Sequence, residues 1–259
     1  MDGIKGAVAI VTGGGAGIGK AIVERLTGLG ALVAVADIDE SAALSVAGSA
    51  VASGGRAIAC PHDVRSWDSA FSLVEKVEQE LGPVQILVNN AGVSKRVPLL
   101  EMSEAEWDRV LDINLKGQFL MIRAVAPGMT ERRFGRIVNL ASVCGKQGFA
   151  NFSHYCSSKF ASLGLTQSLA AEFAPFDVTV NAVCPGIVRT PLHEGILAEM
   201  AKGNDTSVEQ AWRDFVGMIP FKRPQEPSEI AEMVVYLSSD AARNMTGCSY
   251  HVDGGFVMS

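Results

Sequence analysis

Basic charge is the first thing the sequence is short of: 22 Lys and Arg stand against 28 Asp and Glu, for a net charge of -6 over 259 residues. That leaves no cationic surplus to neutralise a phosphate backbone, so no nucleic-acid partner is expected. Long apolar runs are missing as well. A run such as residues 31–36 is far below the roughly 18 residues that span a bilayer, and residues 1–10 carry no basic leader ahead of an apolar stretch. No membrane partner and no secretory route are expected, and the location read from this is cytoplasmic. Cysteine is sparse and odd in number: Cys60, Cys144, Cys156, Cys184 and Cys248 include no C-x-x-C pair. They read as reduced thiols and not as a disulfide framework. His62, His154, His193 and His251 are scattered, with no H-E-x-x-H and no Cys/His cluster at ligand spacing, so no metal site is expected.

What is present is apolar side chain, 48% of residues, enough for one large core. Short apolar runs at 7–11, 32–36, 57–60, 86–88, 137–140 and 178–183 read as strands buried on both faces. Helical patterns lie between them, notably at 66–81, 103–129 and 155–173. This alternation predicts an α/β fold, a doubly wound parallel sheet of Rossmann type with helices on both faces. No repeat, low-complexity tract or linker marks a second domain, so residues 1–259 read as one. The exception in texture is 191–223, a polar insertion near the substrate side with its own helical pattern at Ile196, Leu197, Met200, Ala211 and Phe215. It is a candidate lid.

The first strand runs into T-G-x-x-x-G-x-G, as Thr12, Gly13, Gly17 and Gly19, and a helical pattern follows through Ile22, Val23, Leu26 and Leu29. Such turns also arise for packing reasons. Glycine there lets the backbone turn tightly and lets a pyrophosphate approach a helix N-terminus, where free N–H groups and the dipole favour anions. The second strand run is followed by Asp37, 18 residues after Gly19. A carboxylate at that position accepts from a ribose 2′-OH and repels a 2′-phosphate, although a solvated carboxylate beside Asp39 and Glu40 would look the same.

Tyr155 and Lys159 are four residues apart at the start of a helical stretch, so they share a face. An ammonium beside a phenol lowers a pKa of about 10, each unit corresponding to about 1.4 kcal/mol in favour of phenolate. Ser142 follows the strand run 137–140, at the carboxyl edge where open α/β sheets bind ligands. Taken singly, Y-x-x-x-K also describes an exposed helix pair, and A-S after a strand also describes a helix cap.

Taken together the motifs resemble the short-chain dehydrogenase/reductase family along essentially the whole chain. They are T-G-G-G-A-G-I-G at 12–19, D-V at 63–64, N-N-A-G at 89–92, I-N at 113–114, A-S at 141–142, Y-C-S-S-K at 155–159, P-G-I-V-R-T at 185–190 and D-G-G at 253–255. The resemblance implies an oxidoreductase in which Tyr155 is general acid/base and Ser142 orients the reacting oxygen. Lys159 would lower the tyrosine's pKa and hold the nicotinamide ribose, and Asn114 would hold a water relaying protons. It further implies a dinucleotide held by Gly13, Gly15, Gly17, Ile18 and Asp37, with Asp63 and Val64 at the adenine. Asn90, Ala91 and Gly92 would pack the adenine ribose, and Val188 and Thr190 would bind the carboxamide. The cofactor expected is NAD, because no basic residue stands in the Gly-rich turn or just after Asp37. Family members usually form homotetramers, and Ala161, Ser162, Gly164 and Ala170 are small enough to let helices meet across such an interface.

The substrate reading rests on neighbours of the catalytic group. Ser94, Ser142, Cys144, Phe149 and Phe152 are the candidate substrate contacts, and they suit a small neutral secondary alcohol, diol or polyol. The C-terminal half also resembles members acting on 3-hydroxybutyrate, so a 3-hydroxy acid dehydrogenase or 3-oxoacyl reductase is the alternative. Lys95, Arg96, Lys146, or His193, Lys202 and Arg213 of the insertion, would then be the anchor for a carboxylate. A non-catalytic NAD-binding sensor is a further alternative, although such proteins lose the tyrosine or lysine that this chain keeps.

Overall fold

The computed structural model describes residues 2–203 and 205–258; Asn204, inside the insertion, lies outside the described residues. In chain order the elements are β1 (Val8–Thr12), α1 (Gly17–Gly28), β2 (Leu32–Asp37), α2 (Glu40–Ala52), β3 (Arg56–Pro61), α3 (Trp67–Glu80), β4 (Val84–Asn89) and α4 (Glu104–Leu111). They continue with α5 (Gly117–Arg132), β5 (Gly135–Leu140), α6 (Ser153–Phe173), β6 (Val178–Pro185), α7 (Pro191–Gly203), α8 (Val208–Met218), α9 (Pro227–Ser238) and β7 (Ser249–Val252). The strands form one seven-stranded sheet in the order β3-β2-β1-β4-β5-β6-β7, with every pairing parallel. The doubly wound architecture expected from the alternating pattern is therefore what forms.

The strands are apolar because both faces are covered. On one face Ala9, Val11, Val33 and Val35 of the sheet pack on α1 and α9, where Ile22, Val23, Leu26, Ile230, Val234 and Val235 are buried. The other face packs α3, α5 and α6 through Leu73, Val77, Met121, Val125, Ala170 and Phe173. Strand order reverses between β1 and β4, and the loops leaving their carboxyl ends splay to opposite faces, which opens a crevice there.

Four helices begin on side-chain caps that the sequence supplies. Asp39, Ser66, Ser103 and Ser207 accept from backbone N–H groups of α2, α3, α4 and α8 respectively. The continuous helix predicted over 103–129 is broken: α4 and α5 are joined by a π-helical turn, Asp112–Lys116, that carries Asn114. One wide turn delays the periodicity without erasing it, so the apolar pattern reads through. The insertion forms α7 and α8, which pack on each other through Leu197, Ala201 and Ala211.

Candidate active site

The Gly-rich turn owes its shape to contacts that exclude side chains. Gly13 and Gly17 have φ of +61° and +53°, the left-handed region glycine occupies without strain. A Cβ on Gly13 would stand 2.9 Å from Ala91 Cα. Asn90 locks the turn to the end of β4, its Nδ2 donating to Thr12 O at 3.0 Å and Gly13 O at 2.9 Å. From the other strand Asp37 Oδ2 accepts from Gly15 N–H at 2.9 Å, while its Oδ1 accepts from Asp39 N–H at 3.0 Å. Each oxygen keeps a lone pair for a further donor.

Tyr155 and Lys159 occupy the first turns of α6 and face the carboxyl end of β5 as their spacing predicts. Lys159 is 4% exposed, its Nζ donating to Leu140 O at 2.7 Å and lying 5.6 Å from the Tyr155 ring centroid. Ser142 Oγ stands beside the Tyr155 hydroxyl and accepts from Cys144 N–H at 3.1 Å. Burial, however, dominates the titration. It pushes the Tyr155 phenol well above its ordinary value and lowers Lys159 to about 8. The expectation that the lysine brings the phenol toward neutrality is reversed by burial: desolvation disfavours both charged forms, and the phenol stands as a proton donor.

Asn114 is fully buried in the π-helical turn. Its Oδ1 accepts from Val93 N–H at 2.8 Å, and its Nδ2 donates to Val93 O at 2.9 Å and to Ser158 Oγ at 3.1 Å. The side chain clamps the loop after β4 to α6. A Cβ on Gly92 would sit 3.4 Å from Asn114 Oδ1 and 3.7 Å from Lys159 Nζ, so lysine and asparagine converge over this glycine.

These groups open onto one cavity of about 580 Å³. Its lining brings together Gly13, Gly17, Ile18, Asp37, Asp63, Val64, Asn90, Ala91 and Gly92 with Val188 and Thr190 and with Ser94, Ser142, Cys144, Phe149, Phe152, Tyr155 and Lys159. Gly15 and Asn114 stand behind this lining, bonded to Asp37 and Val93. The cradle of absent Cβ atoms, backbone N–H groups and a carboxylate at the second strand fits a dinucleotide, and the volume is in the range of small-molecule sites.

Several cavity residues escaped the sequence reading. Arg109, from α4, reaches the lining but is held by Glu106 in a bidentate pair at 2.8 and 3.0 Å. Arg65 is likewise paired with Asp63 at 2.7 Å, which keeps the Asp63 carboxyl below its usual range. Phe215 and Met218 of α8 and Phe256 near the C-terminus complete an apolar wall, Phe256 stacking on Phe149 at 5.9 Å. Of the insertion's three candidate cations, only His193 reaches the cavity, and burial lowers its pKa to about 4. Arg213 is exposed and bonded to Gln210, and Lys202 is exposed. The Ser94 hydroxyl is shielded from water and has no partner among the described residues. Of the four small residues of α6, Ser162 and Ala170 are buried inside the subunit, Ser162 donating to Gln118 Oε1 at 2.7 Å, whereas Ala161 is half-buried and Gly164 exposed.

No helix among the described residues is long and apolar enough to cross a membrane, and no group of three or more His, Cys, Asp or Glu among them is arranged to hold a metal ion. A family model described as short chain dehydrogenase matches residues 7–201. The 2-(S)-hydroxypropyl-CoM dehydrogenase 3 of Xanthobacter autotrophicus is 39% identical over 260 residues, covering 98% of both chains. The acetoacetyl-CoA reductase of Shinella zoogloeoides is 38% identical over 250 residues, covering 96% of this chain and 97% of that one. A crystal structure of levodione reductase superposes with a TM-score of 0.92 at 32% identity over 97% of both chains. The single parallel sheet, the glycine cradle at its switch point and these likenesses place the chain in the short-chain dehydrogenase/reductase family of oxidoreductases.

Proposed function

We propose that the chain is an NAD-dependent dehydrogenase that interconverts a small neutral secondary alcohol, diol or polyol and its ketone. The substrate class rests on one observation. Beside Lys159, each basic group lining the cavity is already neutralised: Arg65 by Asp63, Arg109 by Glu106, and His62 and His193 by burial that lowers each pKa to about 4. Phe149, Phe152, Phe215 and Phe256 make much of the lining apolar. A substrate carboxylate buried there would go unpaired at a cost of several kcal/mol, whereas a neutral ketone loses little. The alternative, a 3-hydroxy acid or 3-oxoacyl substrate, draws on the name of the acetoacetyl-CoA reductase relative.

Bound along the glycine cradle, the cofactor supplies the hydride acceptor or donor and, when oxidised, a positive charge. Asp37 takes the adenine ribose hydroxyls and repels a 2′-phosphate. Tyr155 accepts the substrate hydroxyl proton during oxidation and returns it during reduction. Ser142, beside the Tyr155 hydroxyl, orients the reacting oxygen. Lys159 would hold the second ribose, and Asn114, which fixes the loop after β4 through Val93, would serve the proton-relay water. Helices α7 and α8, carrying His193, Phe215 and Met218, act as the lid. The subunit assembles as a homotetramer through α5 and α6, whose Phe119 and Phe160 stand 45% and 47% exposed, in a cytoplasmic setting.

The test is NADH production across simple secondary alcohols, diols, polyols and 3-hydroxy acids, with the best substrate then assayed against NAD and NADP. Neutral alcohols should lead 3-hydroxybutyrate by about tenfold or more, as unpaired charge requires. NAD should lead NADP by about a hundredfold in kcat/KM, and Asp37→Ala should narrow that gap by relieving repulsion of the 2′-phosphate. Hydroxy acids leading by tenfold would overturn the neutral-pocket argument, and NADP preference would overturn the role of Asp37.

A further inference from the structure

Among the described residues, the insertion gives the cavity lining Pro191, Leu192, His193, Ile196, Phe215 and Met218. Five of these are apolar. His193 is the one polar side chain, and the chemistry above leaves it without a partner. It stands third in α7, half-buried, and its backbone N–H reaches back to Thr190 Oγ1 at 3.4 Å. The start of that helix is tied to the cofactor turn, since a Cβ on Gly17 would meet Thr190 Cγ2 at 3.4 Å and Pro191 Cδ at 4.0 Å. The imidazole therefore sits at the anchored end of the lid. Burial keeps the ring neutral, so it carries one N–H donor and one bare acceptor nitrogen, and neither bonds a described group. Ser94 Oγ and His62 Nε2 also belong to lining residues and lack partners, but both atoms are shielded from water. The His193 nitrogens are not shielded, so a ligand in the cavity reaches them. A lid that is apolar except for one donor and acceptor favours a ligand with one oxygen to match, and disfavours the analogue without it.

We propose that His193 holds a second oxygen of the substrate, which is therefore a small diol interconverted with its hydroxy ketone and not a simple secondary alcohol. The proposal rests on the neutral-alcohol reading above and narrows it. Tyr155 and Ser142, on α6 and just past β5, take the reacting oxygen, so the oxygen that meets the lid is a different one. In oxidation the reacting carbon loses a hydride to NAD and the reacting hydroxyl loses its proton to Tyr155, while the second hydroxyl is unchanged. The His193 N–H donates to that second oxygen, or the bare nitrogen accepts from its hydroxyl proton. A neutral ring offers a carboxylate no opposite charge, which sets the preference for an uncharged oxygen. A ligand without the second oxygen displaces water from the imidazole and gives nothing back.

Matched ligands test this on the full chain. 2,3-Butanediol and 2-butanol share a carbon skeleton and differ by one hydroxyl, as 3-hydroxy-2-butanone and 2-butanone do. With NAD, the unmodified protein should favour the diol over 2-butanol by about tenfold or more in kcat/KM, with the difference in KM, as one hydrogen bond made equally in ground and transition states requires. His193→Leu should bring that ratio to within about twofold of one, and His193→Asn, which keeps a donor and an acceptor, should recover part of it. Affinity for NAD should stay within about threefold in both variants, which separates a substrate contact from a cofactor contact. The Tyr155→Phe background gives the same comparison without turnover: NADH fluorescence titrated with the hydroxy ketone and with the ketone should show a difference of about tenfold that His193→Leu removes. Equal handling of the matched ligands by the unmodified protein, a ratio that survives His193→Leu, or a parallel loss of NAD affinity would overturn the inference. The unmodified protein needs no variant, so a misfolded His193→Leu still leaves the inference open to refutation. Failure of the neutral-alcohol reading shows separately, as 3-hydroxybutyrate turned over faster than 2,3-butanediol.

Discussion

Tyr155→Phe is expected to reduce kcat by about 10³-fold or more, because a positioned general acid/base contributes roughly 10²–10⁴ and the cavity offers no second group in its place. The neighbouring titratable groups cannot substitute. Lys159 is a donor already bonded to Leu140 O, and a neutral Ser142 hydroxyl is too weak a base to take the proton unaided. Affinity for NAD should stay within about threefold, since Phe preserves the ring and removes only a hydroxyl that faces Ser142. Isothermal titration with NAD and NADH formation at saturating alcohol separate the two. Turnover at the wild-type rate in the Phe variant would remove Tyr155 from the mechanism, and equal loss of NAD binding would make its role structural.

Gly19→Ala is the second large effect. An alanine Cβ there would collide with Gly13 O and stand 2.5 Å from Asn90 Nδ2, the atom that bonds Gly13 O and Thr12 O. One methyl therefore attacks both halves of the cofactor turn. Overpacking of this kind costs roughly 1–3 kcal/mol, and for a chain this long each kcal/mol lowers Tm by about 2–4 °C. Cofactor affinity should fall further than stability, by about a hundredfold, because the backbone N–H groups that meet the pyrophosphate move with the turn. Thermal denaturation with and without NADH reads both effects: the variant should melt several degrees lower and gain almost nothing from NADH. Full stabilisation by NADH would mean that the pyrophosphate does not lie on this turn.

How much of this was legible depends on whether the signal is local. Strands β1, β2, β4, β5 and β6 announce themselves because burial on both faces demands continuous apolar runs; β3, at the sheet edge and mostly half-buried, keeps only the short run 57–60, and β7 is only Ser-Tyr-His-Val with each residue half-buried, and gives no such run. Helix α2 gives little signal because its buried face is mostly alanine, which marks no stripe. The glycine turn, Asp37 and the Tyr155–Lys159 pair are short-range patterns and could be placed from spacing. Arg109, Phe215, Met218 and Phe256 could not, since α4, α8 and the C-terminal segment meet only in the folded chain. The direction of the tyrosine's pKa failed for a related reason. Spacing reveals the cation four residues away but not the burial that desolvates both groups.

Proton transfer by Tyr155 is the central claim, and the pH dependence of kcat in both reaction directions tests it most directly. Oxidation requires the phenol to have lost its proton before it accepts another, so its kcat should be low in acid and rise with pH. Reduction requires the phenol protonated, so its kcat should hold through neutrality and fall in alkali. Both curves should turn on the same ionisation, which Tyr155→Phe should erase from any residual rate. Curves that run the same way in both directions, or an ionisation that survives in the Phe variant, would contradict the account.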